Sequence, residues 1–214
     1  MYKTLNETGR SMIEMLGVLA IIGVLSVGGI AGFSKAMNSH KTNQCMDQIA
    51  TIIANVRSLG LRQHGSYSGL TTAAAIKLKA APDEMVKTSG SSSSLVNVFG
   101  GEVKIGTSKA LHSNAKNAKE KDFSVEFYGL SHDACLEIMA KDWGGKKIGV
   151  MAAKNASTLS NASYFSSYAY SDTAECKSGS GLAFCVNQQM PLATANTACS
   201  CGKQPTCAVA VWLF

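Results

Sequence analysis

Residues 9–33 read GRSMIEMLGVLAIIGVLSVGGIAGF, and their reading decides the architecture of the chain. From Met15 to Ser34 there is no charged residue, and a run of roughly 20 apolar residues is what a helix needs to cross a bilayer. Glu14 breaks the pattern at its edge, five residues after Gly9. A carboxylate costs about 2.5–3.5 kcal/mol at the centre of a membrane helix and less near its end. A residue kept at that cost suggests a use.

Two simple readings of the stretch fall short. A secretory signal peptide accounts for Lys3 and Arg10 ahead of an apolar core, but a small-x-small exit is lacking and the helix pattern continues. A plain N-terminal anchor needs neither Glu14 nor a glycine before it. Beyond the apolar run, Met46, Ile49, Ile53, Val56 and Leu59 recur at three- or four-residue intervals, with Lys41, Asn43, Asp47, Gln48, Asn55 and Arg57 elsewhere. That spacing predicts one inward face on a continuing helix, stopped at Gly60. From Ser11 to Leu59 such a helix is about 70 Å long. Its first half needs lipid or other subunits, and its second half needs a head to lie against.

The chain has 214 residues, room for this helix and one globular head of about 150 residues. Hydrophobic residues make up 46% and charged residues 16%, which excludes a disordered chain. The net charge of +6 comes partly from Lys104, Lys109, Lys116, Lys119 and Lys121. No aromatic residues interleave them as in a nucleic-acid surface, so a solvated face is the reading, and nucleic acid is not an expected partner.

Six of the seven cysteines, Cys135, Cys176, Cys185, Cys199, Cys201 and Cys207, fall in the second half of the chain. Behind an exported N-terminus this density indicates disulfides, and six cysteines permit 15 pairings. Cys45, on the helix, is the odd one and is expected to be a buried free thiol. Cys199, Cys201 and Cys207 lack the C-x2-C pairs of structural zinc sites, so no metal is expected.

Along the head, Thr72–Ala80 reads as a short helix closed by Pro82, and 89–94 as an exposed Gly/Ser linker. Val98 opens the strands, with Val103 and Ile105 alternating against charged neighbours, and Phe123–Phe127 reads as a half-buried strand. Ser131 caps a helix that bears Asp133 in its first turn, turns Cys135, Leu136, Met139 and Trp143 inward and ends at Gly144. Ile148–Ala152 is a further strand. The Ser/Asn/Tyr-rich stretch from Asn155 to Ser171, with sequons at Asn155 and Asn161, suits an exposed loop. Cys207–Phe214 is an unbroken apolar run, which implies a central or covered strand. No catalytic constellation stands out. His132, Asp133 and Cys135 crowd one helix turn, where adjacent residues do not face each other. Neither an enzyme nor a cofactor is expected.

Gly9-Arg10-Ser11-Met12-Ile13-Glu14 with its apolar run resembles the processing site of type IV prepilins, a class III-type signal in which a short charged leader ends in Gly and a Glu stands fifth in the mature chain. The head resembles the bundle-forming, type IVb branch of that family. Tyr67-Ser68-Gly69-Leu70, a helix, Pro82-Asp83 and then Asn97-x-Phe99-Gly100-Gly101 stand in the family's order. Ala134-Cys135 and Thr197-Ala198-Cys199 resemble the contexts of its C-terminal disulfide.

The resemblance implies an α+β fold: a long N-terminal helix, its apolar half protruding and its amphipathic half packed on a disulfide-stabilised antiparallel β-sheet head. The implied division is a leader over 1–9, a helix over 10–60 with its membrane and filament-core part at 11–33, and a head over 61–214. A prepilin peptidase would cut between Gly9 and Arg10 and methylate the new amine of Arg10. Cys135 would pair with Cys199, enclosing an outward-facing region, and Cys176, Cys185, Cys201 and Cys207 would pair among themselves.

Implied partners are further copies of the chain in a helical homopolymer, the peptidase, the assembly machinery and, before assembly, the inner membrane. The destination is an extracellular pilus serving adhesion, aggregation or motility. Glu14 would meet the α-amine of the next subunit. Gly17, Gly23, Gly28, Gly29 and Gly32 either permit close helix packing or let the segment extend in the filament. A major pilin, a minor tip pilin with an adhesive head, and a pseudopilin of a type II secretion system are the roles to separate, and the size of the head favours a pilin.

Overall fold

The structure, a computed structural model, describes residues 12–107, 111, 121–143, 148–160, 175–179, 181–201 and 206–213. The leader with Gly9 and Arg10, Lys109, Lys116 and Lys119, Gly144, and the stretch from Asn161 to Ser171 lie outside these residues. The chain forms two compact units, Met1–His40 and Lys41–Phe214. Helix α1, Met12–Arg62, contributes to both.

In the second unit, α1 buries a stripe of Cys45, Ile49, Ile52, Ile53 and Val56, while Met46 and Leu59 are only half-buried. All five residues expected to face inward thus pack on the core, and Cys45 and Ile52 widen the stripe. Gln48, expected outside, is buried together with Thr42. Positions 45, 48, 49, 52 and 56 follow the 3.6 period, so Gln48 lies on the buried stripe itself. Nor does Gly60 stop the helix. A Cβ there would overlap the Tyr67 ring, so this glycine makes room for a returning loop. The chain turns at His64 and Gly65, with φ of 54° and 78°, where Gly65 N–H donates to Gly60 O at 2.9 Å.

Helix α2, Thr72–Lys77, is capped by Thr71 and is shorter than expected. The stretch over 89–94 is part of a hairpin, β1 Val86–Ser89 and β2 Ser92–Val96, with Ser89 opposite Ser92 and Gly90 at φ 60° in the turn. A glycine in the left-handed region suits a two-residue hairpin turn, and serine composition does not oppose an exposed edge strand. Val98 lies in the next turn, and β3 is Glu102–Gly106.

The remaining elements are β4 Phe123–Leu130, α3 His132–Ala140, β5 Ile148–Ala153, α4 Ala156–Ser160, β6 Glu175–Gly179, β7 Leu182–Val186, α5 Leu192–Ala198 and β8 Cys207–Leu213. Helix α3 ends before Trp143, and α4 begins where a loop was expected. Among the described residues the strands form one antiparallel sheet in the order β1-β2-β3-β4-β8-β5-β7-β6. The last strand in sequence thus lies in the middle, between β4 and β5.

The middle of the sheet, from β4 through β8 and β5 to β7, is covered on both faces. Val125, Phe127, Val209 and Val211 share one core with the α1 stripe and with Cys135, Ile138 and Met139 of α3. Met151, Phe184, Ala210 and Trp212 share a second core with Leu159 of α4. This corrects the half-buried reading of β4. Ser124, Glu126 and Tyr128 look like an outer face in sequence but are buried, where the Tyr128 hydroxyl donates to the Glu126 carboxylate and Ser124 Oγ lies 3.5 Å from it. Polar side chains that bond one another meet the burial requirement without solvent. The architecture is α+β, disulfide-stabilised, as the residues implied.

Candidate assembly segment and disulfide-closed head

The residues of α1 from Met12 to Phe33 carry thirteen large apolar side chains, all between 51% and 85% exposed. This is the helix among the described residues long and apolar enough to cross a membrane. Its two serine hydroxyls donate back to backbone carbonyls, Ser26 to Ile22 at 2.7 Å and Ser34 to Ile30 at 2.9 Å. They therefore present no unmet donor to an apolar medium. A Cβ added at any of the five glycines from Gly17 to Gly32 would meet nothing within 4 Å. Packing among the described residues does not call for these glycines. Glu14, exposed in the first turn of α1, is the lone charge before Lys35 among the described residues.

The head is tied together by three disulfides: Cys135–Cys199, Cys176–Cys185 and Cys201–Cys207, with Cα separations of 5.8, 4.1 and 5.2 Å. The first joins α3 to the end of α5 across 64 residues. Beside it, His132 Nδ1 lies 2.7 Å from Cys199 O, so the start of α3 meets the end of α5 twice. His132 thus has a positioning contact, and the sulfur of Cys135 is held in a disulfide. The second disulfide links directly opposed residues of β6 and β7 and so fastens an edge strand. Cys45 is a buried free thiol, its pKa pushed up to about 12 by burial.

Two features escape a reading of composition and period. Asn97 is 4% exposed; its Oδ1 accepts from Phe99 N–H at 2.9 Å and Gly101 N–H at 3.1 Å, and its Nδ2 donates to Tyr128 O at 2.8 Å. Gly100 adopts φ 86°, and a Cβ on Gly101 would collide with the Tyr128 carbonyl. The Asn-x-Phe-Gly-Gly motif is thus a backbone clamp between the β2–β3 turn and β4. Gly149 stands opposite Trp212, and a Cβ there would enter the indole. No local signal marks Gly149, because its partner lies at the far end of the chain.

A sequence profile of the PilS N-terminal family matches residues 39–211, the greater part of the chain. The chain belongs to the PilS N-terminal family. Over 159 residues this pilin is 24% identical to the major structural subunit of the bundle-forming pilus of Escherichia coli O111:H-, covering 72% of this chain and 77% of the relative. The same protein from E. coli O127:H6 (strain E2348/69 / EPEC) matches with the same identity and coverage. With the long helix, the antiparallel sheet and the disulfides, these matches make the chain a type IVb pilin, a structural protein of a pilus. The profile begins beyond the apolar segment, so family membership rests on the head and on the later part of α1.

Proposed function

We propose that this pilin is the major structural subunit of a type IV pilus. Its precursor is cut after Gly9 by a prepilin peptidase and methylated at Arg10. The leader is residues 1–9, the helix 10–60 and the head 61–214. The apolar segment holds the subunit in the inner membrane until the assembly machinery moves it into an extracellular helical homopolymer used for adhesion, aggregation or motility. The observation that carries this reading is the exposed apolar surface from Met12 to Phe33. A surface of that kind calls for lipid or for other copies around it.

Glu14 sets the register in this scheme. Burying its carboxylate unpaired costs several kcal/mol, so it needs a cation. Arg10, four residues earlier, offers an exposed contact worth only a few tenths of a kcal/mol. The α-amine freed at Arg10 of an incoming subunit offers an intermolecular and directional partner instead. Burial along the apolar segment supplies most of the holding energy.

The test is electron microscopy of strains carrying Glu14→Ala, Glu14→Gln or Arg10→Ala, with mass spectrometry of sheared filaments. Both Glu14 variants are expected to be cleaved and membrane-inserted yet scarcely assembled, and Arg10→Ala to assemble far better than either. Abundant filaments from Glu14→Ala at normal pilin levels reject the role of the carboxylate. A mature N-terminus other than Arg10 rejects the cleavage site. Low abundance in the filament rejects a major subunit in favour of a minor pilin.

A further inference from the structure

We infer that the outer disulfide Cys201–Cys207 is the redox entry to the buried disulfide Cys135–Cys199: a dithiol that attacks Cys201 sets free the Cys207 thiolate, which then opens Cys135–Cys199 from inside the head. The two disulfides meet at one residue. Cys201 Sγ lies 3.0 Å and Cys207 Sγ 3.2 Å from Cys199 O, so both sulfurs of the outer pair rest on the residue whose own sulfur closes the inner pair.

Backbone contacts hold this arrangement. Cys201 N–H donates to Cys199 O at 2.8 Å, which folds Cys199-Ser200-Cys201 into a three-residue turn. Thr206 Oγ1 lies 3.1 Å from Cys201 O and 3.2 Å from Lys154 O. Cys207 opens β8 opposite Leu130 of β4. The sheet therefore keeps the Cys207 sulfur beside Cys199 when its bond to Cys201 is broken. Access differs between the sulfurs. Cys135, Cys199 and Cys207 are each 0% exposed, whereas Cys201 is only partly buried. Exchange requires a thiolate to reach the sulfur it attacks. A thiol in solution thus reaches Cys201 and not the inner pair.

The exchange proceeds in three steps, each through a mixed or new disulfide. One thiolate of the dithiol attacks Cys201 Sγ, bonds to it and expels the Cys207 thiolate. That thiolate attacks Cys199 Sγ, forms Cys199–Cys207 and expels the Cys135 thiolate. The second thiol of the reductant then attacks its own sulfur at Cys201, leaves as a disulfide and releases Cys201. The reductant loses two electrons and two protons, and Cys135 and Cys201 end as thiols. A monothiol leaves Cys201 capped, so the partner class is a dithiol. The result exchanges a loop of 64 residues for one of 8 and releases the tie between α3 and α5. A reductant at the surface thereby loosens the covalent frame of the head.

The experiment takes the full chain in detergent with its three disulfides formed. Dithiothreitol is added at about 0.1 mM, below the roughly millimolar effective concentration of a thiol tethered beside its target. Samples are trapped with N-ethylmaleimide over time and mapped by mass spectrometry. A Cys199–Cys207 peptide is expected to appear, with Cys135 and Cys201 labelled together and the buried thiol of Cys45 unlabelled because the head is still folded. The double variant Cys201→Ala with Cys207→Ala is expected to lose Cys135–Cys199 at least tenfold more slowly, while Cys176–Cys185, whose Cys176 is partly buried, opens at its usual rate. The trapped peptide in the unaltered chain tests the relay even where the double variant does not fold. Absence of Cys199–Cys207 at every time point, or equal loss of the inner disulfide in the two chains, overturns the proposal. Labelling of Cys135 only together with Cys45 also overturns it, because unfolding then opens the inner pair.

Discussion

Two stretches of this pilin look alike on paper: both Met15–Phe33 and Cys207–Leu213 are apolar runs without a charge. In the structure they have opposite fates. All seven residues of β8 are buried between two faces of packed side chains, whereas the large side chains of the first run are all at least half exposed. Length is part of the reason. Seven residues make one strand that a sheet can flank, but about 20 make a helix with apolar groups on every side, which a head of this size does not surround. The lesson is that an apolar run states a need for burial without saying whose atoms will meet it.

The comparison can be broken by placing the same charge in each run. Val211→Asp puts an unpaired carboxylate in the centre of the sheet, a cost of several kcal/mol against a domain stability of about 5–15 kcal/mol. The head is expected to unfold or to lose most of its cooperative transition by circular dichroism. Val24→Asp should leave that transition unchanged and instead reduce membrane retention in cell fractionation. If both variants destabilise the head equally, the two runs are not independent.

The next effect in size concerns the covalent frame of the head. Replacing Cys135 and Cys199 by Ala removes a loop of 64 residues, worth about 4 kcal/mol in the chain-entropy model. Denaturant unfolding should show that loss, while insertion of the apolar segment stays normal. Asn97→Ala follows, with about 1–3 kcal/mol for a buried carbonyl and amides left without partners. A thermal melt at normal redox state checks it, and a shift of under a degree would mean that the clamp on Tyr128 is dispensable.

The smallest effect at neutral pH belongs to Cys45. Its thiol is raised from 9.0 to about 12 by burial, so iodoacetamide at pH 8 should label it only after unfolding. The folded state keeps a proton that the unfolded state releases above about pH 9. Stability from this group is therefore full below that pH and declines by up to ~1.4 kcal/mol per unit between about 9 and 12. Cys45→Ala should flatten the decline in that window.

Much of this was legible in the residues. The uninterrupted apolar run, the one-sided continuation after it and the concentration of cysteines in the head are local or compositional signals, and each carries a direct physical consequence. The Asn-x-Phe-Gly-Gly motif was visible as a pattern, but the role of Asn97 was not, because its third bond reaches Tyr128, 31 residues away. The hairpin over Val86–Val96 hid behind serines that resemble a linker. Ser124, Glu126 and Tyr128 resembled a wet face because alternation reports polarity, not coverage.

The chain by itself determined that one helix would be apolar on all sides, that its later turns would present a buried stripe to a head, and that the last strand would be covered. These follow from period and composition, which act within a few residues. Only the tertiary structure decided that β8 lies between β4 and β5, that Gly149 gives its space to Trp212, and that Asn97 reaches the Tyr128 carbonyl. Contacts between distant segments depend on how faces fit in three dimensions, and one-dimensional periodicity does not encode which faces will meet.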